Sequence, residues 1–231
     1  MGTTWCTAAK NNNRFDQYNK QGPLYIIMIK GTPEKYEFHF ESDQFKDSSD
    51  KEIDVVALLN KYPDLARIFL PGEGDLFMRM AKSDKVYFRL LAAKNLNCPI
   101  NILEILARDE DWRVRYYVAS NLNCPLNILE ILARDVHAEV RGNVASNLNC
   151  PSNILEILSR DENSDVRREV AANPNCPINI LEILARDEDW VVRCYVARNP
   201  NCPGNILKIL ALDEKYWVRE TAKKNPNYKT K

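Results

Sequence analysis

The sequence predicts a mainly α-helical solenoid of six two-helix repeats, preceded by a small antiparallel β-sheet with helices that cap it. Three observations carry this. Cys98, Cys124, Cys150, Cys176 and Cys202 recur every 26 residues, which marks one position in successive units rather than the irregular pairs of a disulfide framework. Each cysteine is followed by proline and then by a short apolar run, as in Cys98-Pro99-Ile100-Asn101-Ile102-Leu103-Glu104-Ile105-Leu106. A polar link with Asp, Arg and Asn at fixed places closes every unit. Such a period signifies stacked modules that bury their apolar faces only against one another.

Residues 1–50 read as a β-rich module. Leu24 to Lys30 and Tyr36 to Glu41 are rich in Ile, Tyr and Phe and flank Gly31-Thr32-Pro33-Glu34-Lys35, a hairpin signal. Thr3 to Thr7 suggests another strand, and Gln44 to Lys46 extends the sheet. Residues 51–71 form a helical linker or cap, with helical spacing over Ile53 to Leu59 and Pro63 to Leu70. The repeats occupy residues 72–227, and a basic tail, residues 228–231, follows. The first repeat is degenerate: Asp75 to Ala81 aligns with Asn101 to Ala107, and Phe88-Arg89 with Val114-Arg115.

Within a unit, Pro99 opens the first helix, where its missing N–H costs nothing. Ile102, Leu103, Ile105 and Leu106 supply its buried face. A link through Asp109 to Asp111 leads to the second helix, whose core pair is Val114 and Val118, with Ala119 allowing close approach. Asn121 is expected to close that helix in a left-handed conformation, and Asn123 precedes the next Cys-Pro corner. Neither helix is long enough to be stable alone, so neighbour packing holds the array. Asp109 and Arg115 recur as Asp135/Arg141, Asp161/Arg167, Asp187/Arg193 and Asp213/Arg219. This predicts a structural ladder in which each Asp bridges the interhelix turn to a nearby Arg; a catalytic carboxylate would need one copy.

Units of this form, Cys-Pro-x-x-x-Leu-x-x-Leu-Ala-x-Asp-x-x-x-x-Val-Arg-x-x-Val-Ala-x-Asn, resemble leucine-rich-repeat-variant repeats and the broader HEAT-like solenoids. The resemblance implies a right-handed superhelix whose concave face is lined by second helices and binds protein or nucleic acid. Leucine-rich-repeat-variant proteins can carry a separate cysteine cluster for an iron–sulfur centre. Only Cys6 and Cys194 lie outside the periodic set here, so neither that cofactor nor any metal is expected. Trp5-Cys6-Thr7-Ala8, with the Tyr- and Phe-rich segments after it, resembles an opening module of uncharacterised phage-type proteins.

Function is read from what varies between units. Positions 113, 116, 117 and 120 and their equivalents change freely and share one face of the second helix. That face carries Trp112, Arg113, Tyr116 and Tyr117, then Glu139 and Asn143, Arg168, Trp190, Tyr195 and Arg198, and finally Tyr216 and Trp217. Trp, Tyr and Arg dominate binding hot spots, and six layers offer a surface on the order of 50–60 Å long. The leading expectation is a non-enzymatic scaffold that binds a protein partner. Nucleic-acid binding, or glycosylase-like activity on the concave face, is the alternative; the chain has 32 Lys+Arg against 32 Asp+Glu, without the basic surplus that phosphate binding normally brings. A third reading is thiol chemistry at Cys6 with His39 as base. Seven Gly and no Gly-x-x-x-x-Gly-Lys frame leave no phosphate loop. Leu24 to Ile29 is far too short to span a bilayer, and with no signal sequence and an odd cysteine count a reducing cytoplasm is expected, that of a bacterial host for a phage-type protein.

Overall fold

The computed structural model describes residues 25–28, 34–39, 44–47, 49, 51–63, 69–70 and 74–229. The chain divides into two compact units, Met1–Leu91 and Ala92–Lys231. Cys6 lies outside the described residues, as do the segment 3–7 and the side chain of His39.

In the first unit, β1 (Tyr25–Met28), β2 (Lys35–His39) and β3 (Gln44–Asp47) form an antiparallel sheet in the order β1-β2-β3. Tyr25 opposes Phe38, and Phe38 opposes Phe45. Helix α1 (Val55–Lys61) is capped by Asp54, whose carboxylate accepts from Ala57 N–H at 3.0 Å, and it buries Val55, Val56, Leu58 and Leu59. Glu34, at the mouth of β2, accepts from Lys61 Nζ at 2.8 Å, from Tyr62 Oη, and from Tyr36 Oη at 2.8 Å. The Lys61 bond first, then the two tyrosines, hold its carboxyl down at about 2, so it stays ionised and ties α1 to the sheet. Helices α2 (Leu76–Ala81) and α3 (Val86–Lys94) occupy the degenerate repeat. Gly74 precedes α2 at φ +104°, and a Cβ there would meet Met78 Cγ at 3.1 Å.

The second unit is a tandem of helix pairs: α4 (Ile100–Leu106) with α5 (Trp112–Ser120), α6 (Leu126–Leu132) with α7 (Ala138–Ser146), α8 (Ser152–Leu158) with α9 (Ser164–Ala172), α10 (Ile178–Leu184) with α11 (Trp190–Arg198), and α12 (Gly204–Leu210) with α13 (Tyr216–Lys224). Ile102, Leu103, Leu106, Val114 and Val118, with their counterparts in every later pair, are at most 1% exposed. Each second helix packs directly on the next. Ala119, Ala145, Ala171 and Ala197 are fully buried and permit that approach. At the last such position stands Lys223, exposed and paired with Glu220 at 2.9 Å.

Three local expectations need correction. Proline precedes the helix instead of opening it: Pro99 is extended (φ −61°, ψ 147°) and caps α4 through its carbonyl, which accepts from Leu103 N–H at 3.1 Å. The helix-closing asparagines are extended, not left-handed, with Asn121 at φ −68°, ψ 122°. Ile105 is 42% exposed, and Ile131, Ile157, Ile183 and Ile209 likewise face solvent. At about 100° per residue, Ile102, Leu106 and Leu103 fill one arc of the helix and Ile105 lies about 60° outside it.

Three ladders run along the stack. The periodic cysteines are free thiols, 0–5% exposed; burial pushes Cys124, Cys150, Cys176 and Cys202 up to about 12, so they pack as neutral small groups. The asparagines join layers: Asn147 Nδ2 donates to Ala119 O at 2.7 Å and Asn121 O at 3.2 Å, while its Oδ1 accepts from Asn149 N–H at 2.8 Å. The third ladder is ionic and also crosses layers. Arg141 donates through Nε and Nη2 to Asp161 at 2.6 and 2.8 Å, and through Nη1 to the carbonyl of its own module's Asp135 at 2.8 Å. Arg115–Asp135, Arg167–Asp187 and Arg193–Asp213 repeat the clasp. The carboxylate thus comes from the following module, twenty residues on, and the interhelix turn of the Arg's own module is held by its backbone carbonyls. Arg219 keeps the carbonyl contacts, to Asp213 O at 2.7 Å and Glu214 O at 2.9 Å, and lies 5.9 Å from the Tyr216 ring, but among the described residues it has no ion pair. Arg141→Ala and Arg219→Ala both lose those carbonyl contacts, but only the former strands a buried carboxylate. Arg141→Ala is therefore expected to be the costlier by about 2 kcal/mol in denaturant titrations; equal costs would remove the inter-module pairing as a source of stability.

Candidate functional site

The face that varies between modules lies on α5, α7, α9, α11 and α13, and its residues fall into two aromatic clusters separated by a polar groove. At one end Trp112 stacks on His137 (centroids 5.7 Å apart, planes at 11°) and meets Tyr116 edge-on at 6.3 Å; Tyr116 in turn meets Tyr117 at 5.2 Å. Lys94 Nζ sits 4.1 Å above the Tyr117 ring. His137 Nδ1 faces Arg115 Nη2 at 3.3 Å, which couples this cluster to the ionic ladder. Arg113 folds back on Asp111 with Nη2–Oδ2 2.6 Å, and Asn143 donates to Tyr116 O at 2.8 Å. These side chains are knitted to one another and are half-buried, apart from the exposed Lys94 and Arg113.

At the other end Tyr195 lies between two guanidiniums, Arg168 at 5.8 Å and Arg198 at 5.2 Å. Tyr216 and Trp217 meet edge-on at 5.5 Å and are 57% and 65% exposed; Trp190 is 39% exposed. Arg198, Tyr216, Trp217 and Glu220 help to line a groove of about 500 Å³. This end holds the more exposed aromatic surface of the face.

The central groove has a volume of about 590 Å³ and is lined by Tyr116, Glu139, Gly142, Asn143, Asp165, Arg168 and Glu169, among others. Arg168 is shared by Asp165 and by Glu169 at 2.8 Å. The Glu169 hydrogen bond, then the nearby carboxylate charges, holds the guanidinium above its ordinary range against the opposing effect of burial. Sequence comparison of the units marked Gly142 as variable but gave no reason to rank it as a site. The stacking of His137 on Trp112 and of Lys94 on Tyr117 was equally out of reach, because both contacts cross modules.

Among the described residues no group of three or more His, Cys, Asp or Glu is placed to hold a metal ion, and no helix is long and apolar enough to cross a membrane.

The leucine rich repeat variant family matches residues 165–189. Among solved structures, one described as a leucine-rich repeat variant with a novel repetitive protein structural motif is similar to this chain at a TM-score of 0.57 and 26% identity, covering 73% of each chain. No curated protein sequence matches. The repeat segment is an α-solenoid similar to leucine-rich-repeat-variant structures, an architecture consistent with a scaffold for interactions.

Proposed function

We propose that the chain is a non-enzymatic scaffold that binds a protein partner through the second-helix face. One observation carries this: a scaffold that is periodic almost everywhere is non-periodic on that face. The first helices also expose apolar side chains, Ile105, Ile131, Ile157, Ile183 and Ile209. These five repeat identically, however, so by themselves they hold a ligand in no single register. Specificity needs a surface that differs from layer to layer, with anchors such as Trp190, Tyr216 and Trp217. The carboxylates of the central groove weigh against a polyphosphate ligand, which needs an excess of Lys and Arg. The Asp and Arg groups of the repeats are spent on ion pairs at successive layers, which supports a role without catalysis.

Peptides selected from a random displayed library against the full chain test the assignment. Trp190→Ala or Trp217→Ala is expected to weaken them about tenfold, while Ile131→Asp and Ile183→Asp on the first helices leave the affinity unchanged. The reverse pattern would move the binding face to the first helices. Retention of labelled DNA at low salt would replace the protein partner with nucleic acid.

A further inference from the structure

Gly142 has no structural reason to be glycine. It sits in the middle of α7 with helical backbone, where glycine is less favourable than alanine. A Cβ built there meets only Glu169 Cγ, at the ordinary contact distance of 3.7 Å. The same register carries Tyr116 in the preceding module and Arg168 in the next, so a large side chain is compatible with the packing. The effect of glycine is to leave open the groove of about 590 Å³ between them.

The walls say what fits. Glu139, Asp165 and Glu169 put three carboxylates on the groove lining against one guanidinium, that of Arg168, which Asp165 and Glu169 already occupy. Glu139 is exposed, and the described residues give it no ion pair. Opposite stands the half-buried Tyr116 ring. Carboxylate and aromatic together select a cation, and the face already uses that chemistry on itself where Lys94 covers Tyr117 at 4.1 Å and Arg198 covers Tyr195 at 5.2 Å.

We infer that the Gly142 groove receives the cationic side chain, lysine or arginine, of a partner segment lying across the second-helix face, with Glu139 as its counter-ion and Tyr116 as its apolar wall. This rests on the assignment of that face as the binding surface. The partner is then a protein with a basic anchor flanked by residues that reach the exposed Trp190 and Trp217.

The experiment uses the full chain and the displayed peptide library, with Gly142→Tyr as counter-selection. Peptides kept by the natural protein and lost by Gly142→Tyr are expected to share a Lys or Arg. Replacing that residue by norleucine should weaken binding about tenfold, and Glu139→Gln should abolish the difference between the two peptides. Gly142→Ala is expected to fold with a raised melting temperature. Groove-dependent peptides without a basic residue, or a norleucine effect unchanged in Glu139→Gln, would overturn the inference, as would a lowered melting temperature for Gly142→Ala. Peptides that need Trp190 and Trp217 but ignore Gly142→Tyr would overturn it while leaving the binding face intact. Peptides that ignore the whole second-helix face would remove the assignment on which it stands.

Discussion

Replacing Asp161 with alanine is expected to destabilise the repeat unit by about 3–5 kcal/mol, because it leaves a buried guanidinium without its carboxylate. The Asp161 side chain is 8% exposed and that of Arg141 11%. Asp161 takes two hydrogen bonds from Arg141 and a third, at 2.9 Å, from the backbone N–H of Asn163, so the substitution also opens the turn into α9. Burial pushes the Asp161 carboxyl up, but the Arg141 hydrogen bond and the Asn163 N–H outweigh it and hold it below the usual carboxylate range; Asp135 and Asp213 behave alike. A carboxyl whose folded value lies below its unfolded value of about 4 contributes its full stability above that pH and loses it as pH falls through the folded value. The natural protein should therefore lose stability in acid more steeply than Asp161→Ala. Since each layer touches only its neighbours, the loss should be local: hydrogen exchange is expected to accelerate first in α6 to α9. A cost below about 1 kcal/mol would show that the ladder is surface decoration.

A repeat announces its own period, so the helix pairs, the buried Ile102, Leu103, Val114 and Val118 positions and the recurrence of Asp and Arg were legible in the sequence. Partner identity along the stack was not. In a strictly periodic chain the Asp six residues before an Arg and the Asp twenty residues after it belong to the same series, and only the layer spacing decides which one the guanidinium reaches. The asparagines illustrate a second limit. Asn at a helix end suggests a turn former, whereas Asn121 and its counterparts are extended and spend their side chains on the previous layer. Ile105 shows a third: a seven-residue helix cannot turn four apolar positions inward at once. The variable face was legible as positions but not as a site, because the groove depends on a side chain that is missing at Gly142.

Asn173→Asp should be nearly as damaging at neutral pH and should respond to acid in the opposite sense. Asn173 is 2% exposed and closes α9; its Nδ2 donates to Ala145 O at 2.7 Å and Asn147 O at 3.1 Å, and its Oδ1 accepts from Asn175 N–H at 2.8 Å. Aspartate keeps the acceptor but turns a second oxygen toward two carbonyls, so a buried negative charge meets two acceptors in place of a donor. The expected cost is about 3–5 kcal/mol. The folded protein prefers the protonated acid, whose O–H restores one donor, so the folded value lies above the unfolded one. Stability is then lowest at high pH, returns as pH falls through the folded value, and is fully regained only below about 4. Thermal melts between pH 7 and pH 5 should show Asn173→Asp gaining stability while Asn173→Ala, which merely abandons the two carbonyls, stays flat. The seam in question joins α7 to α9, the helices that carry Gly142 and Arg168 in the central groove. Loosening it should weaken groove-dependent peptides, which need α7 and α9 held in one geometry, and spare the anchors on α13, two layers away. Equal loss at both places would mean that the stack transmits disorder along its whole length rather than from layer to layer.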